Sequence, residues 1–142
     1  MANAIYPLWK QALMQEAPSN KSLDQGGFDP DNGVYCALVN IEGGYTYSAA
    51  HQYYSEVTNV VGTTQLLGNP TVAGRIFGAD AVVYTNVTGA KIGALVLYRQ
   101  NTGLSDTWRL VLYEDTGIIG VPLIPSGGNL IVSWNVQGIF GL

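Results

Sequence analysis

The alternation of apolar and polar positions divides the chain into a helical opening and a long β region. Pro7 suits the first position of a helix, and Leu8, Trp9, Ala12 and Leu13 fall on one face behind it, with Ile5 just ahead. Pro18, followed by Ser19 and Asn20, ends that element. A helix of about ten residues is marginal alone, so this one must dock. It either packs on its own domain or reaches a neighbour as an arm. Residues 19–33 (SNKSLDQGGFDPDNG) are dense in turn formers and predict a long loop. Val34–Ile41 (VYCALVNI) is almost wholly apolar, as expected of a strand covered on both faces. After the Gly43-Gly44 break, Ser48 is a candidate cap. Ala49, Ala50, Tyr53, Tyr54 and Val57 share a helical face, so a second short helix is predicted near 48–57.

From residue 60 onward the pattern is β. Val72–Phe77, Ala81–Val87, Ile92–Arg99, Thr107–Tyr113 and Leu130–Val136 are rich in β-branched, aromatic or leucine residues and are separated by turn formers. The last alternates most clearly, with Leu130, Val132, Trp134 and Val136 on one side. No stretch after residue 57 could hold the helical crossovers of a parallel sheet. The predicted fold is therefore all-β, a mainly antiparallel sandwich or barrel with a short N-terminal helix. Its organisation would be a helical arm over 1–18, a loop over 19–33 and a single β domain over 34–142. Two similar hexapeptides, VTNVVG at 57–62 and YTNVTG at 84–89, are too short to indicate duplication and predict related turns.

Composition changes the picture of the surface. The 142 residues include only 16 charged ones, 11%, where an average domain carries about 25%. Spread over the roughly 7,000 Å² a domain of this mass exposes, that is about one charge per 440 Å². Such an exterior suits a protein that spends its life against other copies or another protein. With 47% hydrophobic residues the chain has ample material for a core. The net charge of −4 argues against general nucleic-acid binding. No apolar run is long enough to span a membrane as a helix, and Lys10 interrupts the opening run too early for a signal peptide.

The chemistry available to an enzyme is sparse. His51 and Cys36 are the only histidine and cysteine. Together they fall short of a structural zinc set, and Cys36 sits in the apolar run VYCALV, where an inert buried thiol is expected. Asp24, Asp29 and Asp31 superficially resemble a calcium loop but lack its later glutamate and flanking helices. Glu114 and Asp115 are adjacent, and nothing selects the opposed carboxylate pair of a glycosidase. No phosphate-binding glycine loop is present. No catalytic residue, metal or cofactor is therefore assigned. Aromatic side chains are the one rich class, with nine Tyr, three Trp and three Phe. Four of the tyrosines, Tyr45, Tyr47, Tyr53 and Tyr54, crowd within ten residues and suggest a subunit interface or a carbohydrate platform.

Several segments in order resemble small virion structural proteins of tailed bacteriophages: MANAIYPLWKQALMQ, VYCALVNIEGGYTYSAAHQYYSEV with the turn into VVGTTQLLGNPTV, FGADAVVYTNVTGAKIGALVLYRQ, and TWRLVLYEDTGIIGVPLIPSGGNLIVSWNVQGIFGL. The resemblance covers nearly the whole chain, through the ordered set rather than one motif. It implies a non-enzymatic component of the particle, most like a head decoration or cement protein that bridges neighbouring capsomers. Its partners would be the major capsid protein and further copies of itself, in a homo-oligomer such as a trimer, on the outer surface of a head assembled in the host cytoplasm. The candidate interface residues are Tyr6 and Trp9 in the N-terminal arm, Tyr45, Tyr47, Tyr53 and Tyr54, and Ile139, Phe140 and Leu142 at the apolar C-terminus. That C-terminus is expected either to complete a sheet or to pack on a partner. The competing reading is a virion-displayed recognition module, a carbohydrate- or receptor-binding β-sandwich, or a tail or neck accessory protein.

Overall fold

A computed structural model describes residues 3–16, 22–24, 31–118, 121–135 and 137–142. In chain order the elements are β1 (Ala4–Ile5), α1 (Pro7–Gln15), β2 (Val34–Val39), β3 (Val60–Leu66), β4 (Thr71–Ala73), β5 (Ile76–Gly78), β6 (Val82–Tyr84), β7 (Ala94–Arg99), β8 (Arg109–Glu114), β9 (Leu130–Val132) and β10 (Phe140–Gly141). They form an all-β fold with one short helix. Five strands make a sheet in the order β1-β8-β7-β2-β3, three make a second in the order β10-β5-β4, and β6 pairs with β9. Among the described residues every pairing is antiparallel, and no sheet closes into a barrel.

The centre of the molecule follows directly from its most apolar runs. β2 and β7 pair without a slip from Val34↔Arg99 to Val39↔Ala94. Every residue of β7 is buried, as are five of the six in β2. A strand buried on both faces loses the in–out alternation of a half-exposed one, which is why these segments read as continuous hydrophobic stretches. On β6, the Tyr84 hydroxyl donates to the Cys36 carbonyl at 2.8 Å, beside the register shift between β2 and β3.

The N-terminal segment belongs to the domain and is not an extended arm. Ala4 and Ile5 add an edge strand to β8, the Tyr6 amide donates to the Val111 carbonyl at 3.0 Å, and α1 buries Trp9 and Ala12. Pro7 opens the helix as its sequence position predicts; the amide of Glu16 closes it on the Ala12 carbonyl, while Pro18 lies outside the described residues. Most of the 19–33 loop also lies outside them. The C-terminus completes a sheet: Phe140 and Gly141 pair with Phe77 and Ile76, and the Leu142 amide reaches the Arg75 carbonyl.

Two predicted elements take a different form. The 48–57 segment is not a helix, apart from a single 3₁₀ turn at Tyr54–Glu56. Its backbone is drawn to the start of β8 instead: Tyr53 bridges Arg109, the Tyr54 amide donates to the Trp108 carbonyl and the Leu110 amide to the Gln52 carbonyl. Extended pairing satisfies these groups in place of helical bonds. The run Val72–Phe77 is not one strand but the β4–β5 hairpin, turned at Gly74 and Arg75, whose φ angles are 56° and 71°. Consecutive left-handed residues make the turn that fits the twist of paired strands.

The related hexapeptides do not form matching turns: the second half of 57–62 lies in β3, whereas 84–89 leads out of β6, yet the two share backbone features. Asn59 and Asn86 both adopt positive φ, and so do Gly62 and Gly89 three residues later in each. The two segments also face one another. A Cβ on Gly62 would meet Val87 and one on Gly89 would meet Val61, each at 3.6 Å.

Candidate functional site

The segment 45–54 lays its aromatic side chains over the sheet in two groups. In the first, the Tyr6 and Tyr45 hydroxyls hydrogen-bond at 2.7 Å, and Tyr45 meets His51 Nδ1 at 2.8 Å. The Tyr47 ring packs on those of Tyr6 and Tyr113, and the Tyr113 hydroxyl donates to Asp115 at 3.2 Å. Burial raises the pKa of Tyr6, Tyr45 and Tyr113, so these hydroxyls remain protonated donors through neutral pH. In the second group Tyr35 and Trp108 each stand nearly parallel to Tyr98, with centroids 5.6 and 5.7 Å from it, and Tyr54 stacks on Tyr98 at 3.8 Å.

These groups decide what each candidate interface residue can offer. Tyr6, Trp9 and Tyr45 are buried in the chain's own core, so no partner reaches them in this conformation. Large aromatics on short elements fit an interface, and the same property makes them core anchors. Tyr47, Tyr53, Tyr54, Ile139 and Phe140 are half-buried, and of the candidates only Leu142, at 50%, is classed as exposed. Leu142 shares an apolar groove of about 290 Å³ with Trp9, Leu13, Leu23 and Val72.

A cavity of about 590 Å³ opens between the end of α1, Asn32, Tyr53 and the loop 101–107. At its base Arg109 makes a bidentate pair with Glu16: Nε lies 2.7 and 3.0 Å from the two carboxylate oxygens and Nη2 2.6 Å from one. Burial disfavours the guanidinium charge, but the hydrogen bonds and charge of Glu16 outweigh it and its pKa is raised. The guanidinium also lies 4.7 Å from the centre of the Tyr53 ring. Arg109 Nη1 is buried without a hydrogen-bond partner. The loop opposite is braced internally. Asn101 Oδ1 accepts from the Gly103 amide and the Thr107 hydroxyl, and Asn101 Nδ2 donates to the Thr107 carbonyl. A Cβ on Gly103 would stand 2.9 Å from the Thr107 hydroxyl and 3.0 Å from Asn101 Oδ1, so a larger residue there would displace these side chains.

None of Glu16, Arg109 or the 101–107 loop is marked in the sequence as a site. The one available signal is a basic residue inside the apolar strand WRLVLYE. Arg99 and Arg109 are both buried, so two of the six basic residues are withdrawn from the surface.

The other titratable groups are accounted for locally. Cys36 is fully buried and its thiol is pushed up to about 12 by loss of hydration, the behaviour of an inert side chain. Among the described residues no group of three or more His, Cys, Asp or Glu is placed to hold a metal. Asp29, one of the three loop aspartates, lies outside those residues.

Glu114 is the exception. It sits beside Trp134, Ser133 and Ile139 in a cleft of about 180 Å³, and burial raises its carboxyl to about 7. Its unfolded value is ordinary, so the folded state holds the extra proton between about pH 4.5 and 7. Stability present at low pH is therefore lost as pH rises through that window. Glu114→Gln is expected to match the parent at pH 4 and to be more stable at pH 8 by about 1–2 kcal/mol, after discounting for partial exposure. Urea unfolding at the two pH values measures this; a parent curve that is flat between them would contradict it.

No protein-family model matches the chain, and no curated protein matches it.

Proposed function

We propose that this chain is a non-enzymatic structural component of a tailed-phage virion, most like a head decoration protein whose copies associate and bridge neighbouring capsomers. The observation that carries the adhesive part is the outward face of the β6–β9 pair. Val83 and Ile131 are directly opposed across these strands and are 48% and 55% exposed. Ile124, Leu104 and Met14 are more exposed still. Apolar side chains facing outward on a surface so poor in charge are suited to burial against another molecule. The family resemblance supplies the particle; the surface supplies a reason for contact.

Light scattering during size-exclusion chromatography tests self-association. A mass that is a multiple of 15.2 kDa is expected, and Ile131→Glu should reduce it towards the single chain while leaving the circular dichroism spectrum unchanged. A parent that remains monomeric at every concentration would contradict association through this face.

A further inference from the structure

We propose that the free edge of β4 docks on the same edge of a second copy of this chain, in an antiparallel pairing centred on Val72 about a two-fold axis. The β4–β5 hairpin stands out from the domain. Every residue from Thr71 to Ile76 is exposed, and a Cβ on Gly74 at its tip would meet nothing within 4 Å. Short paired strands with so little buried surface are marginal in water. β5 is paired on both sides, with β10 and with β4, whereas among the described residues β4 pairs only with β5. Thr71–Ala73 carries no charge of the kind that keeps exposed edges apart.

The register identifies the groups that face outward. In an antiparallel ladder, two opposed residues either both turn their N–H and C=O towards each other or both turn them away. Phe77 lies opposite Val72, and its carbonyl accepts from the Ile139 amide on the β10 side. Val72 therefore aims its own N–H and C=O away from β5, at the open edge. A second copy presents the same two groups, and a two-fold axis joins Val72 to its counterpart by two N–H···O bonds. The next outward position towards the N-terminus is Pro70, which has no N–H, so a slipped register loses a bond. Charge agrees with this arrangement. It sets the hairpin tip of each copy, with exposed Arg75, beside the entry to β4 in the other. At that entry Asn69 Nδ2 donates to the exposed Asp80 carboxylate at 2.6 Å. The axis thus brings a cation to a carboxylate twice, a match that favours a second copy over an unrelated strand.

This contact is separate from the β6–β9 face and does not rest on the virion reading. Its variants are therefore compared both in the parent chain and in Ile131→Glu, where the β6–β9 face is disabled. Sedimentation equilibrium is expected to show a dimer at high micromolar concentration in Ile131→Glu. Val72→Pro, a residue tolerated on edge strands, deletes the outward N–H and should weaken that dimer by about tenfold or more. Arg75→Asn suits the left-handed turn, removes the cation and should weaken it by about threefold. Cysteine pairing reads the register in the parent chain without the proline. Thr71 of one copy lies opposite Ala73 of the other at a separation a disulfide can span. A mixture of Thr71→Cys and Ala73→Cys chains, with oxidised glutathione as electron acceptor, should form disulfide dimers faster than either variant alone. Cross-linking no faster in the mixture than in its components would overturn the proposal. So would a dimer that folded Val72→Pro leaves unchanged, or an Ile131→Glu chain monomeric at every concentration, which would leave the edge to a strand of another protein.

Discussion

Replacing Trp9 with alanine lowers the unfolding free energy by about 3–5 kcal/mol, the range for deleting a buried aromatic side chain. For a chain of this length that corresponds to roughly 10–15 °C in melting temperature. The effect is large because Trp9 joins three parts of the molecule. It is 1% exposed on α1, its ring meets Phe140 edge-on at 5.8 Å, and Phe140 in turn packs on Phe77 at 5.6 Å. Removing the indole therefore opens a cavity under the helix and loosens the strand that ends the chain. Hydrogen exchange should accelerate first at the amides that tie this strand to β5 and its turn, those of Ile139 and Leu142. Trp9→Phe separates packing from polarity. The indole Nε1 is buried with no acceptor, so phenylalanine removes an unmet donor while keeping most of the contact, and it should cost far less than alanine. Equal losses for the two variants would contradict the packing account.

The second large effect is expected at Glu16. Glu16→Ala leaves the Arg109 guanidinium nine-tenths buried and without its counter-charge. Breaking a buried pair from one side costs about 3–5 kcal/mol. The Glu16 side chain retains 21% exposure, which places the loss near the lower end of that range. Joint replacement, Glu16→Leu with Arg109→Met, should recover most of it, because an apolar pair incurs no desolvation of charge. The exposed Lys91–Glu42 pair provides the contrast. It has a similar distance, 2.8 Å, but side-chain exposures of 38% and 67%, and Lys91→Ala should change stability by less than about 1 kcal/mol. Chemical denaturation of the two single variants and the double variant measures all three terms. A Glu16→Ala loss no larger than that of Lys91→Ala would show that burial does not strengthen the pair.

The parts of the fold that were legible in the sequence are those where local chemistry and tertiary structure agree. Pro7 and the spacing of Trp9 and Ala12 specify α1, and the apolar runs around Cys36, Val96 and Val111 specify the three central strands. The misread segments are those where a tertiary contact overrides local pattern. Tyr53, Tyr54 and Val57 have helical spacing, yet the neighbouring backbone pairs with Trp108 and Leu110 instead. Arg75 gives no local sign of the left-handed conformation that turns the β4–β5 hairpin. β3 carries Gly62, Thr63, Thr64 and Gln65, so it lacks the apolar alternation that marks a strand. The cleft was illegible for a simpler reason. Its ion pair joins residues 93 positions apart, and sequence alone gives no means of matching one glutamate among ten acidic residues to one buried arginine.

The candidate interface shows the same limit from the other side. Aromatic richness is visible in sequence, but its destination is not. Tyr6 and Tyr45 meet hydroxyl to hydroxyl inside the core, while the apolar positions left facing outward are aliphatic: Val83, Ile124 and Ile131. A β-strand exposes every second side chain. Only the pairing of β6 with β9 reveals which of those positions is outermost.

The most direct test of the proposed role is to mix the purified chain with expanded tailed-phage heads that lack decoration, then measure binding by sedimentation and head stability by calorimetry. The account predicts saturable, stoichiometric binding and a higher melting temperature for the decorated heads, with both effects reduced by Ile131→Glu. A folded chain that leaves sedimentation and melting of the heads unchanged would contradict it.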